Sequence, residues 1–220
     1  MSDKVPMEEM RIALGAHNIK ERPPVVMPVV EIIKHENYGG KDDGYKWDIT
    51  LLKLAEPVEF NDVISPVCLA PDTLQSFSNL MAVGWGKTGY EGPTSDVLLE
   101  AAVTEVLIPQ CQRKYGTKRV TPTHVCTQDA GKSVCMGDSG GPLLTQQNGV
   151  WYDIGIVSWG IKCGQGQGAN YPAVFTRVSS YLQWVYDRTG DANWCRRPQP
   201  EPVASAQGSS RNGMFGRFFG

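Results

Sequence analysis

The first stretch of this chain with types and spacing fit for covalent chemistry follows Cys135 and reads Gly137-Asp138-Ser139-Gly140-Gly141-Pro142. Glycines admit backbone shapes that other residues resist. Adjacent N–H groups in such a turn converge on one point, which is what a developing oxyanion needs. A serine beside that point is a candidate nucleophile, although the same pattern taken alone also describes a tight turn. A hydroxyl attacks poorly without a base, and the histidines are His17, His35 and His124. Six cysteines, Cys68, Cys111, Cys126, Cys135, Cys163 and Cys195, form no C-x-x-C pair, so no zinc site is expected. An even count in a chain with 24 Gly and 15 Pro favours disulfides and an oxidising compartment. Met1–Met10 (MSDKVPMEEM) carries acid and no apolar segment, so it is no secretory signal. This conflict predicts that the true N-terminal segment is missing from the 220 residues.

These residues need a scaffold, and the patterning supplies strands. Segments 11–17, 25–35 and 48–55 read as strands, followed by a Pro-rich connection with Pro57, Pro66 and Pro71. Further strands are expected at 80–88, 97–107, 141–146, 150–159 and 173–178. One helix is expected at 179–188, capped by Ser179 or Ser180, with Leu182, Val185 and Tyr186 on one face and Gly190 stopping it. From Arg197 on, a Pro-, Ser- and Gly-rich tail predicts disorder. A net charge of −2, from 21 Lys+Arg and 23 Asp+Glu, gives no reason to expect a nucleic-acid partner. No apolar run approaches the about 20 residues that span a bilayer.

From about Arg11 to Gly190 the chain resembles the chymotrypsin/trypsin family of serine proteases. The motifs that carry the resemblance occur in order. Trp47-Asp48-Ile49-Thr50-Leu51-Leu52-Lys53-Leu54 is similar to the strand start bearing the family's catalytic Asp. Ser65-Pro66-Val67-Cys68-Leu69 resembles the inter-barrel connection, and Gly84-Trp85-Gly86-Lys87-Thr88 the opening strand of the second barrel. Cys135 to Pro142 resembles the nucleophile loop, Ser158-Trp159-Gly160 a strand lining the specificity pocket, and Trp184 lies in the closing helix.

The resemblance implies an all-β fold of two antiparallel β-barrels with a C-terminal helix and no cofactor. It makes Ser139 the nucleophile, Asp48 the carboxylate that orients the base, and the N–H groups of Gly137 and Ser139 the oxyanion hole. Asp138 would pair with an amine freed by zymogen cleavage. The family's His precedes the Asp in an Ala-Ala-His-Cys type motif, which this sequence lacks, and all three histidines are expected on the surface. The Ile/Val-Val-Gly-Gly start is absent too. Aligning Arg11 onward leaves about three strands of the first barrel, an open half with one apolar face and two unpaired edges. The implied division is an incomplete half-barrel at 1–66, a connection at 67–79, the second barrel and helix at 80–190, and a tail at 191–220. Poor solubility is expected of the chain alone. In subtilisin, losing the catalytic His lowers turnover by about 2 × 10⁶, so negligible proteolysis is expected as well.

The resemblance also implies the disulfides Cys111–Cys126 and Cys135–Cys163. Cys68 either bonds Cys195 or holds a separate light chain or propeptide. A further family disulfide falls on Leu80 and Thr145 and is lost at both ends. The pocket would have Ser133 at its floor, Gly160 and Ala173 in its walls, and Ser158 and Trp159 alongside. Trypsin-like relatives carry Asp at the floor; an uncharged floor leaves a buried cation unpaired. Protein or peptide substrates with Phe, Tyr, Leu or Met before the scissile bond are therefore expected of a complete, secreted endopeptidase. Ala16 replaces the Glu that opens the calcium loop of trypsins, so no calcium is expected. The rival reading is a non-catalytic homologue that binds or regulates.

Overall fold

The computed structural model describes residues 6–74, 77, 79–161, 163, 170–190, 192 and 195. The expected tail at 191–220 therefore lies outside the described residues except for 192 and 195. The molecule is all-β with short helical pieces. β1 (Arg11–Leu14), β2 (Val25–Lys34) and β3 (Thr50–Leu54) form a three-stranded antiparallel meander. β4 (Cys68–Leu69) carries the chain across and pairs in parallel with Tyr152 and Asp153. The rest of the sheet comprises β5 (Leu80–Gly84), β6 (Leu99–Val103), β7 (Glu105–Val106), β8 (His124–Thr127), β9 (Pro142–Gln147), β10 (Val150–Trp159) and β11 (Ala173–Arg177), in the order β6-β5-β9-β10-β11-β8-β7.

The two ends of that order are one stretch of chain. Residues 99–106 pair with β5 through β6 and with β8 through β7, so the sheet closes on itself as a six-stranded barrel. Thr104, at the break, gives its N–H and Oγ1 to the Asp129 carboxylate at 2.6 and 2.9 Å. Leu80, Ala82, Val103, Val125, Leu143, Ile154 and Phe175 fill the interior. Met81 lies opposite Leu144, and the same register sets buried Leu80 against buried Thr145, the two positions at which the resemblance implies a lost disulfide.

The meander does not close. Among the described residues β1 and β3 each pair only with β2. Cross-strand partners share a face: Ile12 and Met27, Leu14 and Val25, Val29 and Leu54, Ile32 and Leu52 lie on one. Ile33 and Leu51, on the other, pack with Ile49 against Tyr181, Trp184 and Val185. The second barrel thus props the meander from one side and leaves the first face partly open, with Leu52 41% exposed.

Both α-helices depart from the sequence reading. The expected 179–188 helix is a 3₁₀ turn, Val178–Tyr181, running into α2 (Leu182–Tyr186), with no side-chain cap. Its buried pair is Trp184 and Val185, not Tyr186, because those two meet the meander. An unexpected helix, α1 (Ile108–Tyr115), starts at Pro109 and ends at Gly116, whose φ of 88° suits glycine. Its buried Cys111 bonds Cys126 of β8.

Candidate functional site

Asp48 is aimed by the turn that precedes β3. Trp47 adopts φ 57°, uncommon for a bulky residue, and its N–H is held by the Tyr181 hydroxyl at 3.2 Å. The Asp48 carbonyl accepts from Thr176 Oγ1 at 2.9 Å, and its Oδ2 accepts from Ser158 Oγ at 2.6 Å. Burial raises the Asp48 pKa, and the Ser158 hydrogen bond opposes that rise. Ser158 reaches it from a β-bulge: Val157 pairs with Phe175 and Trp159 with Val174, leaving Ser158 as the extra residue. Bulges re-aim side chains in this way.

Ser139 sits at the mouth of a cavity of about 230 Å³. Ser133, Ser158, Trp159, Gly160 and Ala173 line the same cavity, together with the Cys135–Cys163 disulfide. No described residue lining it carries a charge. Gly137 takes φ 100°, and a Cβ there would lie 3.0 Å from the Gly86 Cα, so glycine is required twice over. Gly140 donates its N–H to Val157 O and Gly141 to Asp138 O. Among the described residues no acceptor takes the N–H groups of Gly137 and Ser139.

Asp138 anchors the turn from behind. Its two carboxylate oxygens accept the Gly86 and Cys135 N–H groups, each at 2.8 Å. A Cβ on Gly84 would collide with Oδ1, and one on Gly86 would come within 2.5 Å of Cγ. The Gly-Trp-Gly spacing is thus a cradle for this carboxylate, which meets no amine among the described residues.

The surface expectation fails for two of the three histidines. His17 is exposed, and its carbonyl accepts from Trp85 Nε1 at 3.0 Å. His35 is buried, stacked on Trp184 at 4.9 Å and edge-on to Tyr181. His124 is buried in β8, with Nδ1 bonded to the Thr121 N–H at 3.1 Å. Burial lowers the pKa of both. None hydrogen-bonds Asp48 or Ser139. All six cysteines are paired; Cys68 bonds Cys195, which leaves it no thiol for a separate light chain or propeptide.

The parts that sequence reasoning missed are the Thr176 hydroxyl on the Asp48 carbonyl and the Tyr181 hydroxyl on the neighbouring Trp47 N–H, which come from 128 and 134 residues away. No local signal names them. The Gly84-Trp85-Gly86 spacing was visible, but its purpose depends on Asp138 lying behind it.

The family profile described as Trypsin matches residues 2–185. Trypsin-1 of Astacus astacus is 35% identical over 170 residues, which is 76% of this chain and 70% of that protein. With that profile spanning both the Asp48 turn and the Ser139 loop, the chain belongs to the trypsin family of serine proteases.

Proposed function

We propose that this chain carries the nucleophile, the orienting carboxylate and the specificity pocket of a secreted serine endopeptidase. Ser139 attacks the peptide carbonyl, Gly137 and Ser139 N–H groups receive the oxyanion, and Asp48 orients and balances the charge of an imidazole base. The observation that carries the reading is the shared cavity. Ser139 opens into it, and Ser158 both lines it and bonds Asp48 at 2.6 Å.

The neutral lining supports a preference for Phe, Tyr, Leu or Met before the scissile bond. An Arg or Lys side chain would be desolvated there without a counter-charge. Isothermal titration of the chain with paired product peptides ending in Phe or Arg tests this. Tighter binding of the Phe peptide is expected; equal or tighter binding of the Arg peptide refutes the preference.

These 220 residues hold no histidine at Ser139, which supports negligible turnover of ordinary peptides by the chain alone. A burst of active-site titrant consumption by the chain, abolished in Ser139→Ala, would overturn that. The same missing base favours one alternative, a non-catalytic homologue that uses the pocket to bind.

A further inference from the structure

The acid and the nucleophile are placed, and none of the chain's histidines bonds either. Asp48 Oδ2 is taken by Ser158, while Oδ1 accepts no hydrogen bond from a described residue. His35 and His124 are fixed by packing and hydrogen bonds elsewhere, and His17 is exposed at the Trp85 contact. Of the acid, base and nucleophile, the one to be supplied is the base, a neutral imidazole with access to both Ser139 and Asp48.

The edge of β10 suggests what can bring it. β9 pairs with β10 only as far as Pro142 opposite Ile156, and Val157 is then tied to Gly140 and Gly141. Beyond Val157 the β9 side of Ser158–Gly160 has no strand partner among the described residues. An extended peptide laid there gains main-chain hydrogen bonds. Alternate side chains of an extended strand point to opposite faces. With one side chain in the 230 Å³ cavity, the preceding one turns the other way, over Ser158 and the carboxylate it holds.

We propose that this chain hydrolyses peptides that carry histidine immediately before the pocket-bound residue, the substrate supplying the base. The inference rests on the proposed nucleophile and pocket. The substrate imidazole takes the Ser139 Oγ proton as Oγ bonds the carbonyl carbon. The C–N bond then breaks, and the leaving amine takes that proton from the imidazolium. Water, deprotonated by the same imidazole, releases the acyl group as a carboxylic acid and restores Ser139. Asp48 orients the ring and stabilises its charged form.

The test compares two peptides alike except for His or Ala before a central Phe, incubated with the 220-residue chain and followed by mass spectrometry. Positioned general bases contribute about 10²–10⁴-fold, so the His peptide is expected to be cut after Phe at least 100-fold faster. Ser139→Ala should abolish cleavage, and Asp48→Asn should lower it at least tenfold while leaving binding of the His peptide within about twofold. Calorimetry with both peptides separates the two layers of the argument. Binding of both with no His-dependent cleavage overturns the inference and spares the pocket. Binding of neither overturns the pocket reading and the inference with it. Equal cleavage of both shows that the base is not the substrate's.

Discussion

At the scale of single residues the chain trades exposure for precision. Asp48 is held through a hydroxyl, Ser158, that itself sits in a bulge. Removing that hydroxyl leaves a half-buried carboxylate short of a donor, which costs about 1–3 kcal/mol. Ser158→Ala is therefore expected to lower the free energy of urea unfolding by that amount and to move the Asp48 titration, read by carbon NMR, further upward. Asp153 makes a different case. Burial, opposed by its Gly155 N–H bond, pushes its carboxyl up to about 7. The native state thus holds a proton that the unfolded chain releases from about pH 4 upward. Its contribution to stability is complete below the unfolded value and is lost as pH rises through about 7. His35 and His124 act in the opposite sense. Burial lowers their pKa values, so the unfolded chain protonates first and stability falls as pH drops through and below about 6.5. A stability maximum between these limits is expected. Asp153→Asn should flatten the alkaline side and gain up to about 4 kcal/mol at pH 8, read from urea midpoints. An unchanged alkaline slope would show that Asp153 titrates normally. Ser139 and its glycines were legible because the turn is local in sequence. Burial of His35 and His124 was not, since it depends on the aromatic residues Trp184 and Tyr181 and on the β8 register, fixed only on folding.

At the scale of elements, what repeats every second residue was legible and what closes over distance was not. β2, β9, β10 and β11 follow the apolar runs that predict them. β8 escaped because His124–Thr127 is buried at all four positions and carries no alternation. α1 escaped because eight residues give too little helical period, and its Cys111 is placed by a disulfide rather than by an apolar stripe. Barrel closure through 99–106 was hidden too, since one strand-like run changes partner at Thr104. Element-level tests follow from the joints. In the Gly84-Trp85-Gly86 cradle, a Gly86→Ala methyl must displace the Asp138 carboxylate and strand two amides, an expected loss of roughly 2–4 kcal/mol in thermal or urea unfolding. A Gly86→Ala protein as stable as its parent would mean that Asp138 has another seat. The Cys68–Cys195 bond spans 127 residues between β4 and the chain beyond α2. Chain-entropy arguments give roughly 5 kcal/mol for a loop of this size, fewer if the unfolded chain stays compact. The double variant Cys68→Ala/Cys195→Ala should lose several kcal/mol in urea unfolding while its other two disulfides remain intact by peptide mapping.

At the scale of the whole molecule the two halves differ in how they end. The second barrel closes, because residues 99–106 pair with both β5 and β8. The meander has two free edges among the described residues, on β1 and β3, and between them an apolar face. Leu52 is 41% exposed there. Open edges beside an apolar face are the usual route to association between chains. The opposite face gives no such opening, because Ile33 and Leu51 are pressed against Trp184 and Val185. Association, if it follows this geometry, must then depend on the Leu52 face and not on apolar exposure in general. The 220-residue chain is expected to sediment with a weight-average mass that rises with concentration. Leu52→Lys should suppress that rise, by placing a charge between the edges. Trp151→Lys, at a residue 41% exposed on the second barrel, should leave it unchanged. A monodisperse monomer that melts cooperatively would show that the meander's open face is tolerated by water. Suppression by Trp151→Lys instead would move the sticky surface to the closed barrel. Between these outcomes the experiment decides whether an open three-stranded meander can stand on one propped face.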